Sequence, residues 1–319
     1  MRKLQITAIV LVFLFPTLCF AAAKTVIPIY TPGAGGTAYL VGGASATVMN
    51  RYIPEVQMMV EATGGTAAMS RLMGEKAEKN QPAFGVGDSK VFYQAYAGQA
   101  PFTKAISSLR SVTFIHGAEL CLVVSKKSPI KSYSDLKGKR VGVGAAGSGT
   151  SQISVDLIAA HGVTKDMFKQ LWLGYNEVAE GIKDDSIDAG FISGTYPIPA
   201  LQQLALEKDI RIIPADPAVL KKVLETNPYF YGDALKPNAY KGVTQETPIL
   251  VFGSILETQS AVDTDLVYKI TKTLFEKRDE LIAITPQMKY MTLKNARITI
   301  ATPFHPGAEK YFKEAGAGK

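Results

Sequence analysis

The chain has 319 residues, 47% of them apolar and 20% charged, with a formal net charge of +7. That length exceeds the usual size of one compact core, so two lobes are expected. The positive excess is mild and spread out, with no basic block and no nucleic-acid motif, so no nucleic-acid partner is expected.

Arg2 and Lys3 precede an almost wholly apolar run from Leu4 to Phe20, and Ala21-Ala22-Ala23 supplies a small-x-small cleavage site. This is the pattern of a secretory signal peptide over residues 1–23, with Lys24 as the mature N-terminus. The alternative is an uncleaved anchor, because the run reaches the lower length limit for a span, about 17 residues. Leu18 stands where a lipid-attachment signal around Cys19 would want a small residue. Removing the leader takes Arg2 and Lys3 with it, and the net charge falls from +7 to +5. Cys121 is then the one cysteine left, which excludes an internal disulfide. Its setting, Glu119-Leu120-Cys121-Leu122-Val123-Val124, is that of a buried strand, where a cysteine acts as a small apolar residue.

In chain order, Thr25 to Tyr30 alternates as a strand. The glycine-rich run Pro32-Gly33-Ala34-Gly35-Gly36-Thr37-Ala38-Tyr39 follows, then a small-residue helix from Tyr39 to Tyr52. Val56 to Val60 reads as a strand leading into Glu61-Ala62-Thr63-Gly64-Gly65-Thr66 and a helix from Ala67 to Met73. Phe84 to Gly87 is a short strand, and Asp88-Ser89 fits the N-cap of a helix from Val91 to Tyr96. Strand, loop and helix repeated three times indicate a parallel α/β sheet. Phe114 to Ser125 is a long strand able to pass between lobes. Beyond a short helical turn at Ser132–Lys139 comes a strand, Arg140 to Gly144. A second glycine loop, Val143-Gly144-Ala145-Ala146-Gly147-Ser148-Gly149-Thr150-Ser151, then opens a helix from Gln152 to His161 that Gly162 stops. Lys169 to Tyr175 reads as strand, Asn176 to Lys183 as helix, Ile187 to Ile192 as strand and Pro199 to Leu206 as helix. Pro248 to Ile255 is a strand able to return to the first lobe. Thr264 to Leu281 reads as one long helix whose stripe of Leu266, Val267, Ile270, Leu274 and Phe275 is core packing. The tail has one short helix. The expected division is residues 24–124 plus 249–319 as one lobe and 125–248 as the other.

Each glycine loop follows a strand and opens a helix, leaving N–H groups unpaired where a small anion can be held without an arginine. Gly142-Val143-Gly144-Ala145-Ala146-Gly147 also matches G-x-G-x-x-G, but the acidic ribose partner fails: Asp166 precedes the next strand and Glu177 lies too far on. No lysine follows Gly149, so a phosphate-binding P-loop fails as well. There is no G-x-S-x-G elbow, and His116, His161 and His305 show no metal-ligand spacing. No enzyme activity, metal or cofactor is expected. Asp135, Asp184, Asp185 and Asp188 read as surface or capping residues. Asp88 and Lys90 read as a solvated pair, with contact to a charged group of the ligand as the alternative, Tyr93 and Tyr96 as core or rim, and Glu61 as either cleft-facing or capping a strand end.

Six segments in order resemble one family: Gly35-Gly36-Thr37-Ala38-Tyr39, Ala62-Thr63-Gly64-Gly65, Tyr93-Gln94-Ala95-Tyr96, Leu136-Lys137-Gly138-Lys139-Arg140-Val141 running into Gly147-Ser148-Gly149-Thr150, Gly190-Phe191-Ile192-Ser193-Gly194-Thr195-Tyr196-Pro197, and His305-Pro306-Gly307-Ala308. The chain resembles the TAXI family, the extracytoplasmic solute receptors of one class of TRAP transporters. The resemblance implies a two-lobed periplasmic-binding-protein fold of the type II kind, hinged around an interlobe cleft. It implies a periplasmic, monomeric receptor for a small organic anion, a dicarboxylate or an amino acid such as glutamate. Its partners would be TRAP membrane permease subunits driven by an ion gradient. The same fold also serves receptors of ATP-driven importers and sensor kinases, and less often exported enzymes.

The expected ligand contacts are Gly35, Gly36, Thr37, Tyr39, Thr63, Gly64, Gly65 and Ser89 from the first lobe. From the second they are Gly147, Ser148, Gly149 and Thr150 around a carboxylate, with Gly194, Thr195 and Tyr196 closing the far side. The chain departs from the family pattern at Asp88-Ser89-Lys90, where Gln-Ser-Asp is usual, at Thr66, where serine is usual, and at Ala38, which replaces an aromatic residue.

Overall fold

The computed structural model describes residues 24–32, 37–300 and 302–317. The signal-peptide expectation and the glycines at 33, 35 and 36 lie outside the described residues. The first lobe opens with β1 (Thr25–Thr31), α1 (Thr37–Tyr52), β2 (Val56–Ala62), α2 (Thr66–Glu78), β3 (Phe84–Asp88) and α3 (Ser89–Ala97). Then β4 (Leu109–Ser125) runs on into the second lobe, which holds β5 (Arg140–Gly142), α4 (Gly149–Ala160), β6 (Lys169–Leu171), α5 (Tyr175–Lys183), β7 (Ala189–Gly194) and α6 (Pro199–Glu207). After β8 (Ile210–Ile213), α7 (Pro217–Thr226) and β9 (Phe230–Leu235), β10 (Thr247–Gln259) leads back to α8 (Thr264–Glu276), α9 (Arg278–Ile284) and α10 (Pro306–Glu314).

The sheet order is β2-β1-β3-β10-β4-β7-β5-β6, with β8 on β4 and β9 on β10. β1, β2 and β3 are parallel, as are β5, β6 and β7, in keeping with helix crossovers. The parallel order expected from the first three strand–loop–helix repeats holds, while at the centre of the sheet β4 and β10 run antiparallel over Leu109–Leu120. Both strands are long enough to serve two cores. Ile115 packs with Ile27, Phe84 and Leu256 in one core, whereas Ala118 packs with Leu122, Phe191 and Phe252 in another. The chain therefore changes lobe twice, on neighbouring strands, within a few residues of the paired glycines Gly117 and Gly253. Side chains have no room there: a Cβ on Gly253 would collide with Thr299, and one on Gly117 with the Tyr231 hydroxyl.

Three further expectations change. The strand expected to reach Tyr175 stops at Leu171, because the Glu177 carboxylate accepts the Gly174 N–H at 2.6 Å and starts α5 at Tyr175. The single helix over 264–281 breaks at Lys277, where Lys277 lies 4.4 Å from the Tyr52 ring centroid and Arg278 donates to the Met291 carbonyl. Residues 207–247 carry β8, α7 and β9, none of which the sequence pattern brought out. Cys121 is fully buried, as expected, and Asp135 forms a capping box with Ser132. Asp188 pairs with Arg140.

Candidate functional site

The two lobes meet where α3 of the first faces α4 and residues 229–230 of the second. Asp88, last residue of β3, caps α3 by accepting the N–H groups of Lys90 at 2.8 Å and Val91 at 3.4 Å through Oδ1. Its other oxygen, Oδ2, is buried without a hydrogen-bond partner and faces Gly149, the first residue of α4. The approach is so close that a Cβ on Gly149 would overlap the carboxylate. One residue on, Ser89 donates to the Tyr229 carbonyl at 3.2 Å, and Tyr93 packs on Tyr229 with ring centroids 5.8 Å apart. Lys90 crosses the junction to pair with Asp156 on α4. The solvated Asp88–Lys90 pair is thus corrected: both residues are buried at the lobe junction, and the lysine ammonium turns to Asp156.

Register places three polar side chains in one row beneath this junction. Asp88 on β3 is the partner of Ser254 on β10, and Ser254 is the partner of His116 on β4. Directly paired residues point to the same face of a sheet. Each of the three carries a buried polar atom without a partner: Asp88 Oδ2, Ser254 Oγ and His116 Nε2. Thr31 Oγ1, at the C-terminal end of β1, is another, and Ser45, Gln94, Glu119, Ser154, Arg211 and Thr299 carry such atoms elsewhere. Such atoms are uncommon in folded proteins and call for a physical cause. Burial dominates the titration: it lifts Asp88 to about 6 against the opposing charge of Lys90, and lowers His116 to about 4, so the imidazole is neutral at pH 7. The histidine tautomer follows from its neighbours. Thr195 Oγ1 donates to the Gly117 carbonyl at 2.9 Å and so accepts from His116 Nδ1, also at 2.9 Å. That leaves Nε2 as a bare acceptor.

In the second lobe Ser148 caps α4, accepting the Ser151 N–H at 3.1 Å. The N–H groups of Gly149 and Thr150 lie in the first turn, where an α-helix provides no internal acceptor. The Thr150 hydroxyl meets Tyr175 at 2.7 Å and Ser193 at 2.9 Å, and those two meet at 2.6 Å, a closed ring of three hydroxyls. Thr195 is buried on His116 and Gly117, while Tyr196 is partly exposed and edge-on to Tyr240. Gly147 is exposed and Gly194 half-buried.

In the first lobe Thr37 and Tyr39 are half-buried at the start of α1. Thr63 donates to the Thr31 carbonyl at 2.9 Å, Gly65 is the N-cap residue of α2, and Gly64 is exposed. Gly35 and Gly36 lie outside the described residues. Glu61 is exposed. The structure thus brings Ser89, Gly149, Thr150 and Thr195 to the lobe junction together with Asp88, which the sequence left open as a ligand contact, and it adds His116, Ser254, Tyr175 and Ser193, which sequence reasoning missed. The available signal was a polar residue inside an apolar strand run, as in Phe114-Ile115-His116-Gly117-Ala118 and Phe252-Gly253-Ser254-Ile255.

The surface grooves lie elsewhere and offer less chemistry. A groove of about 490 Å³ beside α7 is walled by Pro217, Leu220, Lys221, Leu224, Glu225 and Pro248, with no buried polar group converging on it. Among the described residues no cluster of three or more His, Cys, Asp or Glu is arranged to hold a metal, and no helix is long and apolar enough to cross a membrane.

A sequence model of the NMT1-like family matches residues 29–316. The chain belongs to the NMT1-like family. Solved structures share the fold of this NMT1-like chain at low identity. XAC2383 from Xanthomonas citri, bound to ATP, is 12% identical with a TM-score of 0.53 over 92% of this chain and 97% of that one. A structure from work on glutathione import via GshT and the cystine ABC importer TcyBC of Streptococcus mutans is 13% identical, with a TM-score of 0.52 over 83% and 95%. A TctC solute binding protein from Polaromonas is 13% identical, with a TM-score of 0.50 over 91% and 95%. These likenesses concern the fold, a mixed α/β architecture of two lobes joined by long strands.

Proposed function

We propose that this protein is an exported solute receptor that captures a small organic anion, a dicarboxylate or an amino acid, between its lobes and hands it to a TRAP-type membrane permease. The observation that carries this reading is the row of buried, unpartnered polar atoms on Asp88, Ser254 and His116 across β3, β10 and β4, with Asp88 set against the first residue of α4. A polar floor facing unpaired helix N–H groups is the makeup of a site that a polar ligand completes. The crossing of β4 and β10 serves as the hinge, since two strands leave few backbone positions to resist rotation. Affinity in the micromolar range needs about −8 kcal/mol, more than one helix terminus provides at ~0.3–2 kcal/mol. Contacts from both lobes are therefore required, and binding drives closure.

The TRAP assignment rests on the TAXI-like segments around Gly35, Thr63, Tyr93, Gly147, Gly194 and His305. Delivery to an ATP-driven importer is the second reading, favoured by the fold shared with the structure from work on glutathione import via GshT and the cystine ABC importer TcyBC. Thermal-shift screening of the chain from Lys24 against carboxylates, amino acids, sugars and phosphates tests the ligand class. A ligand at 100 times its Kd stabilises by about 2.7 kcal/mol. Response to sugars alone would refute the anion reading. Reconstitution in vesicles with a TRAP permease, driven by a sodium gradient or by ATP, separates the two delivery systems.

A further inference from the structure

We propose that Asp88 and His116 bind the ammonium group of the ligand, so that the solute is an α-amino acid and not a dicarboxylate or 2-oxo acid. This rests on the receptor reading above and narrows its substrate class. The argument is one of donors and acceptors. The floor of the junction presents Asp88 Oδ2 and His116 Nε2 in the same row, with Ser254 Oγ between them, and none has a partner. A carboxylate oxygen accepts, and the Nδ1–H tautomer fixed by Thr195 makes Nε2 an acceptor as well. Two acceptors flanking a hydroxyl call for a group with several N–H donors.

The donors lie next door. Asp88 Oδ2 faces Gly149, so the N–H groups opening α4 stand beside the acceptor row. An α-amino acid carries its ammonium and carboxylate on one carbon, which matches acceptors and donors placed side by side. A dicarboxylate or 2-oxo acid offers only acceptors to Asp88 and His116, and would set one anion against another. Lys90 relieves this only in part: its charge pulls the Asp88 carboxyl down, but burial outweighs it, and the ammonium pairs with Asp156.

The test is titration calorimetry on the chain from Lys24 with matched pairs: L-glutamate and 2-oxoglutarate, L-leucine and 4-methyl-2-oxopentanoate, L-alanine and pyruvate. The expected result is that the amino acid of the binding pair wins by at least about tenfold, equivalent to about 1.4 kcal/mol. Asp88→Asn keeps an oxygen to cap α3 but replaces the charged acceptor, and should bring the pair within about threefold or reverse it. A 2-oxo acid that binds wild type as tightly as its amino acid overturns the proposal and leaves the receptor reading standing. So does a preference unchanged in Asp88→Asn. Absence of binding across amino acids, 2-oxo acids and dicarboxylates overturns both.

Discussion

Gly149→Ala probes the lobe junction with a single carbon. The new Cβ would lie 3.2 Å from Asp88 Cγ and 3.5 Å from its Cβ, and would overlap Oδ2. Asp88 cannot swing away freely, since Oδ1 holds the Lys90 and Val91 N–H groups at the start of α3. Releasing that cap costs about 1 kcal/mol, and overpacking a tight contact costs about 1–3 kcal/mol. The collision involves one residue from each lobe, so it burdens the closed arrangement and not the fold of either lobe. Within α4 itself, alanine is the better helix former by about 0.5–1 kcal/mol.

The variant should therefore unfold at the same or a higher urea concentration than wild type, yet bind its ligand roughly 5- to 150-fold more weakly, the equivalent of that 1–3 kcal/mol. Small-angle scattering should show less compaction at saturating ligand. Gly43→Ala is the control, because a Cβ there meets nothing within 4 Å; it should gain helix stability and leave affinity unchanged. If Gly149→Ala binds within about twofold of wild type and compacts to the same radius, the Asp88–Gly149 contact is not part of the closed receptor, and the placement of the site fails.

Asp156→Asn strips the counter-charge from Lys90, whose side chain is 8% exposed, but Asp156 itself is 62% exposed, so the loss should be only about 1 kcal/mol in urea unfolding. Lys90→Met combined with Asp156→Asn should recover part of it, and a double variant no more stable than the single one argues against the pair. Burial raises three carboxyl groups, Asp88 to about 6, Glu119 to about 7 and Glu257 to about 8. For each, the folded state favours the protonated form, so their contribution is fully present below about pH 4 and is lost as pH rises through 6 to 8. Glu257→Gln should thus be more stable than wild type at pH 8.5 and not at pH 4, measured by urea midpoints; equal gains at both would refute ionisation as the cause. Cys121 is fully buried and its thiol is pushed up by burial, so a thiol reagent should label the chain from Lys24 only when urea unfolds it. Labelling of the native chain at the rate of free cysteine would contradict that packing.

The legible parts of this fold were those that depend on near neighbours in the chain. Asp88 as a helix cap, Gly162 as a stop and Asp135 in a turn are set within four residues of themselves. Cys121 is placed by an apolar run on either side. What stayed hidden depends on pairings across the chain. The row Asp88–Ser254–His116 exists because β10 returns antiparallel between β3 and β4, and no local pattern fixes that register. The short β8 and the glycine-interrupted β9 escaped because neither is long or periodic enough to stand out from loop. Gly149 was visible as a loop glycine, but the reason for it, an aspartate 61 positions earlier, was not.

That difference alters the chemistry inferred for the cleft. Glycine loops read along the chain supply only donors, and donors alone favour the most negative solute. The sheet contributes the opposite: two acceptors set in one row by register, one of them a carboxylate that faces the first residue of that helix. A receptor achieves selectivity as much by what it repels as by what it holds. A buried carboxylate beside an anion-binding helix terminus holds off a second anion while giving an ammonium both charge and hydrogen bonds. Asp88 stands where the TAXI-like pattern has glutamine, and Asp88→Gln should move the solute preference toward acids without an amine.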